Sequence, residues 1–170
     1  TLAGGPGTFG TIFKIDINSK TPPTILKSFG TNGSVTDPGY QPNSLIQAAD
    51  GSFYFTNGVG IYQLIVDPAT GASTVVTLFT FPLDPKTLLL TNGSGSTSLL
   101  QASDGNLYMP MNTAPQTAQG GGTQGAIGRL NPSTSPPVFD SVMRFATDGS
   151  QGNPPFSILT EVAAGGFDGH

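Results

Sequence analysis

Apolar residues in this chain alternate with polar ones or run in short β-branched and aromatic stretches, each bounded by Gly, Pro, Asn or Asp. That is the pattern of strands. No stretch combines apolar positions at helical spacing with capping residues. One segment reads without interruption: a strand at 44–48, a turn at Asp50-Gly51, strands at 52–56 and 60–66, a turn at Asp67-Pro68-Ala69-Thr70-Gly71, and a strand at 73–81. Asp-Gly predicts a two-residue hairpin, because both positions accept φ > 0 at low cost. A second segment has the same order: 97–102, Asp104-Gly105, 106–111, 126–130, Asn131-Pro132-Ser133-Thr134 and 138–145. Its loop before Gly125 is the longer one.

The two segments are repeats, and a third copy is split between the ends of the chain. Ser44-Leu45-Ile46-Gln47-Ala48-Ala49-Asp50-Gly51 matches Ser98-Leu99-Leu100-Gln101-Ala102-Ser103-Asp104-Gly105. Placing 156–170 ahead of 1–30 restores the order of elements, with strands at 156–162, across the join, at 9–17 and at 24–29. The spacings Leu45 to Leu99, Leu99 to Ile158 and Ile158 through the join to Leu45 are 54, 59 and 57 residues, which together account for all 170. A related tetrad follows each fourth strand: Thr31-Asn32-Gly33-Ser34, Thr91-Asn92-Gly93-Ser94 and Thr147-Asp148-Gly149-Ser150. A chain divided within a repeat is expected to close on itself or to continue into another copy. The seam residues are then Phe167, Asp168, Gly169, His170, Thr1, Leu2 and Ala3, expected to form one strand or two abutting halves. The hairpin positions that recur between the repeats are Asp50, Gly51, Asp104 and Gly105.

Four antiparallel strands per repeat, with a linker to the next, describe a β-propeller blade. The expectation is an all-β unit spanning 1–170, with propeller-like blades at 44–81, at 97–146, and at 156–170 plus 1–30. The segments 101–108, Gly4-Gly5-Pro6-Gly7-Thr8-Phe9-Gly10-Thr11-Ile12-Phe13-Lys14-Ile15 and Lys27-Ser28-Phe29 resemble GloVer repeats of bacterial secreted and surface-anchored proteins. The third repeat departs from that pattern, with Gly165-Gly166 in place of Asp-Gly. The resemblance implies an extracellular or cell-surface, propeller-like repeat protein, and it brings no catalytic residue with it.

Composition narrows the partners. Hydrophobic residues make up 36% of the chain and charged residues only 9%, so a packed interior is affordable in apolar side chains while the surface must be built from Thr, Ser, Asn and Gly. With a net charge of −4 and six scattered basic residues, the chain has no electrostatic footprint for nucleic acid or an anionic membrane. No apolar run approaches the roughly 20 residues that span a bilayer as a helix. The absence of cysteine fits either compartment, and the charge-poor surface favours the exterior.

Catalytic chemistry has little to draw on. His170 is the one histidine, and a triad would require it to be buried and oriented by a carboxylate; a strand position is the simpler reading. One His without Cys does not supply the usual zinc ligands. Asp50, Asp104, Asp16, Asp67 and Asp148 recur with the repeat, which leaves Asp37, Asp84, Asp140, Asp168 and Glu161 as the irregular acids for a glycosidase-type pair. No spacing of alternating Asp residues marks a calcium loop. Gly4-Gly5-Pro6-Gly7 and Gly120-Gly121-Gly122 lack the following Lys-Ser/Thr of a phosphate loop. The expectation is no enzyme, no cofactor and no metal.

Two functional classes stand. One is a structural subunit of an extracellular filament or array, assembled head to tail with copies of itself by completing the split blade. The other is a binding module holding a glycan or surface partner on the loops 31–43, 82–96 and 114–124, which differ in length between repeats.

Overall fold

The computed structural model describes residues 9–30, 41–57, 59–82, 98–112, 125–145 and 158–162. Among these the chain is all-β, with ten strands in three antiparallel sheets and no helix. The N-terminal sheet pairs β1 (Thr11–Lys14) with β2 (Thr24–Ser28). The central sheet has the order β3 (Ser44–Gln47), β4 (Phe53–Thr56), β5 (Gly60–Val66) and β6 (Ser73–Thr80). The C-terminal sheet runs β7 (Leu100–Gln101), β8 (Leu107–Met111), β9 (Ala126–Asn131) and β10 (Val138–Arg144). None of the three closes into a barrel. The expected third sheet of four strands is thus represented by two among the described residues. Residues 158–162, expected within a strand, carry no strand pairing.

Alternation along β4 explains the stacking. Phe53 and Phe55 point to one face and join Ile12 and Phe29 of the N-terminal sheet in a core with Tyr62 and Leu64. Tyr54 points to the other face and joins Leu107, Met109, Met111 and Leu130 of the C-terminal sheet, with Ile61 and Phe81. The central sheet therefore spends both faces on neighbours, which a period-2 strand can do only when both sets of side chains are apolar.

Each sheet carries the same irregularity. The register of β5 and β6 shifts between Ile61↔Phe79 and Tyr62↔Thr77, leaving Leu78 as an extra residue. The same shift leaves Leu26 extra between Ile12↔Lys27 and Phe13↔Ile25, and Val142 extra between Met143↔Ile127 and Ser141↔Gly128. A bulge lets neighbouring side chains share a face. Leu78 and Phe79 accordingly both pack toward the C-terminal sheet. Just beyond the bulge, Phe29, Phe81 and Phe145 each donate a backbone N–H, to the carbonyls of Gly10, Val59 and Gly125 at 3.0, 2.9 and 2.9 Å. At the other end of the third strand, Asp16, Asp67 and Asn131 each accept with Oδ1 from the backbone N–H two residues on. Three copies of one bulge, one closing bond and one side-chain turn make the sheets counterparts in geometry.

The hairpins differ from the two-residue turn expected. Gly51 N–H donates to Ala48 O at 2.9 Å and Ala48 N–H to Ser52 O at 2.8 Å. Gly51 has φ of 86° and Gly105 of 80°, whereas neither Asp50 nor Asp104 has positive φ. Ala49 and Asp50 thus form the middle of the turn and Gly51 follows it as the left-handed residue of a three-residue loop. Asp50 Oδ1 accepts from Ser52 N–H at 2.9 Å, and Asp104 Oδ1 from Asn106 N–H at 2.9 Å, so the Asp braces the turn through its side chain.

Candidate assembly site at the joints between sheets

The joint between the central and C-terminal sheets has an aromatic middle and a polar end. Phe139 stacks on Phe79 with centroids 4.4 Å apart and meets Phe81 edge-on at 5.3 Å. Offset stacking and edge contacts suit the ring quadrupoles. Glycine makes room for this arrangement: Gly128 sits where the central sheet has Tyr62, and a Cβ there would lie 2.6 Å from Phe139 Cζ. At the hairpin end, Gln101 Oε1 accepts from the backbone N–H of Ala49 at 2.8 Å. Gln101 Nε2 donates to Gly105 O at 3.4 Å, so one side chain holds its own turn and the preceding one.

A second side chain makes the same bond at the hairpin of the C-terminal sheet, from residues 158–162, which pair with no strand. Glu161 Oε2 accepts from Ser103 N–H at 2.9 Å and Oε1 from Ser103 Oγ–H at 2.6 Å. Ala49 and Ser103 hold the same hairpin position, so Glu161 is the counterpart of Gln101. The sequence alignment, which set Ile158 against Leu45 and Leu99, is corrected by one residue, and Leu159 takes that place. The N-terminal joint is secured elsewhere: Ser73 Oγ–H donates to Leu26 O at the bulge, and Phe29 meets Phe55 at 5.9 Å.

The outer side of the C-terminal sheet carries a polar cluster. Arg129 donates to both carboxylate oxygens of Asp140, from Nε at 3.0 Å and Nη2 at 2.6 Å. Asp104 Oδ2 accepts from Asn106 Nδ2 at 2.7 Å and from the Tyr108 hydroxyl at 2.8 Å. The Asn106 side chain, its backbone N–H and the Tyr108 hydroxyl hold the Asp104 carboxyl below the usual carboxylate range. Its bond to Asp104 in turn raises the Tyr108 phenol. A cleft of about 350 Å³ lies here, lined by Leu100, Asp104, Tyr108, Leu159 and Glu161 among others.

Of the irregular acids, Asp140 is committed to Arg129 and Glu161 to Ser103, and the two belong to separate contacts. Asp37, Asp84 and Asp168 lie outside the described residues, as do the seam residues Thr1, Leu2, Ala3, Phe167, Asp168, Gly169 and His170. Among the described residues no three acids or histidines gather in a metal-binding group, and no helix is long and apolar enough to cross a membrane. The hairpin residues Asp50, Gly51, Asp104 and Gly105 sit beside the joints, where the sequence placed the turns. Gln101, Glu161 and Phe139 were not singled out from sequence for these roles. The one signal was that Gln47 and Gln101 recur at the same position before the hairpin.

No protein-family model, curated protein or solved structure matches this chain.

Proposed function

We propose that this chain is a structural repeat module, a run of propeller-like blades that extends by stacking on further copies of itself into an extracellular filament or array. The observation that carries this reading is the recurrence of one polar contact at successive hairpins, Gln101 to Ala49 between two sheets and Glu161 to Ser103 from the segment that follows them. A joint that repeats step by step is how quasi-one-dimensional architectures grow, because each unit touches only its neighbours. Kinship with GloVer-type repeats, on the motifs at 101–108 and Gly10-Thr11-Ile12-Phe13-Lys14-Ile15, and completion of a split blade by a neighbour are parts of the same proposal.

Sedimentation across a concentration series, with electron microscopy of the concentrated sample, tests it. Elongated particles that lengthen with concentration are expected. A chain that stays monomeric at the highest soluble concentration overturns the assembly reading and moves glycan or surface binding through the loops ahead.

A further inference from the structure

The three sheets face one way along the stack, and each has two distinct faces. The side directed toward the C-terminal sheet is its leading face, the opposite side its trailing face. On the trailing face of the central sheet, Tyr62 and Leu64 are 4% and 1% exposed, covered by the N-terminal sheet. In the C-terminal sheet the counterpart of Leu64 is Leu130, fully buried against the central sheet. The shared bulge fixes the counterparts in the N-terminal sheet: Phe13 takes the place of Tyr62, and Ile15 that of Leu64. These are 38% and 55% exposed, and Ile25, paired with Phe13, lies open beside them.

The same test applies at the other end. On the leading face of the central sheet, Leu78 and Phe79 pack against the C-terminal sheet. Their counterparts in the C-terminal sheet are Val142 and Met143, both exposed large apolar residues. Phe13 and Ile15 thus stand exposed at positions whose counterparts are buried by a neighbouring sheet, and Val142 and Met143 at positions whose counterparts are half-buried by one. Ile25 only borders this patch, since its counterpart Thr77 is exposed as well. The trailing patch of Phe13, Ile15 and Ile25 holds no charged side chain, and the leading patch of Val142 and Met143 lies in the same pair of strands as the Arg129–Asp140 ion pair.

Resting on the self-stacking reading above, we infer that these two patches are the halves of one interface. The trailing face of the N-terminal sheet docks on the leading face of the C-terminal sheet of a second copy of this chain. Phe13 of one copy then occupies the place that Tyr62 holds in the internal joint, opposite Val142 and Met143 of the other. The contact is heterologous, because each copy contributes a different face, and so it propagates instead of closing as a two-fold dimer. Apolar surface taken from water drives it.

Two variants decide the geometry: Phe13→Glu places a charge on the trailing face, and Met143→Arg places one on the leading face. Both positions are on open surface, and circular dichroism with thermal melting verifies that each variant keeps the wild-type fold. Each variant alone is expected to sediment as a monomer at concentrations where wild type forms longer species. An equimolar mixture is expected to stop at dimers, since the intact leading face of Phe13→Glu docks on the intact trailing face of Met143→Arg and both remaining faces are blocked. Either folded variant associating alone like wild type overturns the inference, as does a mixture that remains monomeric. A variant with a lowered melting point also overturns it, by showing that its patch is covered within the chain. Wild type that never associates defeats the self-stacking reading itself, whereas wild type that associates alongside unaffected variants defeats only this assignment of faces.

Discussion

Gln101 reaches across from the first strand of one sheet to the backbone of the preceding sheet's hairpin, its Oε1 accepting from Ala49 N–H at 2.8 Å. The two residues are 52 positions apart, so the bond exists only when the sheets are stacked. It is a direct reporter of the joint.

Gln101→Ala should therefore loosen that joint more than the hairpin itself. A net loss of about 1 kcal/mol is expected for one neutral hydrogen bond, with faster hydrogen exchange at the Ala49 amide. Gln47→Ala leaves the acceptor of Ala49 in place and should change that amide much less. Equal exchange at Ala49 in wild type and Gln101→Ala would show that the bond contributes nothing in solution.

Gly51 and Gly105 test the turn chemistry without steric complication. A Cβ added at either position meets no atom within 4 Å, so any cost comes from the left-handed backbone alone. Gly51→Val is expected to destabilise by about 2 kcal/mol and Gly51→Asn by clearly less, because Asn tolerates that conformation. The comparison is made by urea midpoints; equal midpoints for the Val and Asn variants would contradict the positive φ.

Gly128→Ala is the opposite case, a steric test in ordinary backbone. The new methyl would lie 2.6 Å from Phe139 Cζ and 2.9 Å from Met111 Sδ, and both belong to the joint. Overpacking of this kind costs roughly 1–3 kcal/mol. Phe139→Leu in the same chain should recover part of the loss, since it removes the ring that clashes, and a purely additive double variant would argue against the stacked position of Phe139.

The pH response follows from Asp104 and Asp67, whose carboxyls are both held below the usual range by hydrogen bonds they accept. For Asp67 the largest cause is Ala69 N–H, followed by Thr70. A carboxyl with a depressed folded pKa stabilises fully above its unfolded pKa and loses that contribution as pH falls through the folded value. The melting difference between wild type and Asp104→Ala should accordingly be constant near neutrality and shrink in acid, below the ordinary carboxylate range. A difference that persists undiminished into strong acid would mean that the ionised form is not what braces the turn.

The alternation in 60–66 and the Asp-Gly pairs made strands and hairpin positions legible from sequence, and β5 spans that same range. Periodicity reports which side a residue faces, however, and not which neighbour covers that side. That is why Phe139 and Gln101 gave no sign of their partners. The bulge at Leu78 was equally silent, because Ser73-Thr74-Val75-Val76-Thr77-Leu78-Phe79 is an unbroken run of β-compatible residues and no side chain among them requires a kink. The one-residue misalignment at Ile158 has a similar origin: Ile158-Leu159 offers two apolar residues for one position, and only the bond from Ser103 to Glu161 selects between them.

The bulges at Leu26, Leu78 and Val142 all fall on the strand at the rim of its sheet. A rim strand with a continuous ladder of open donors and acceptors is a template on which a stray strand can zip, and the end result is amyloid. A bulge interrupts that template after a couple of rungs and twists the remainder out of line. A surface with so few charges has little repulsion with which to guard its rims. Broken register guards them instead.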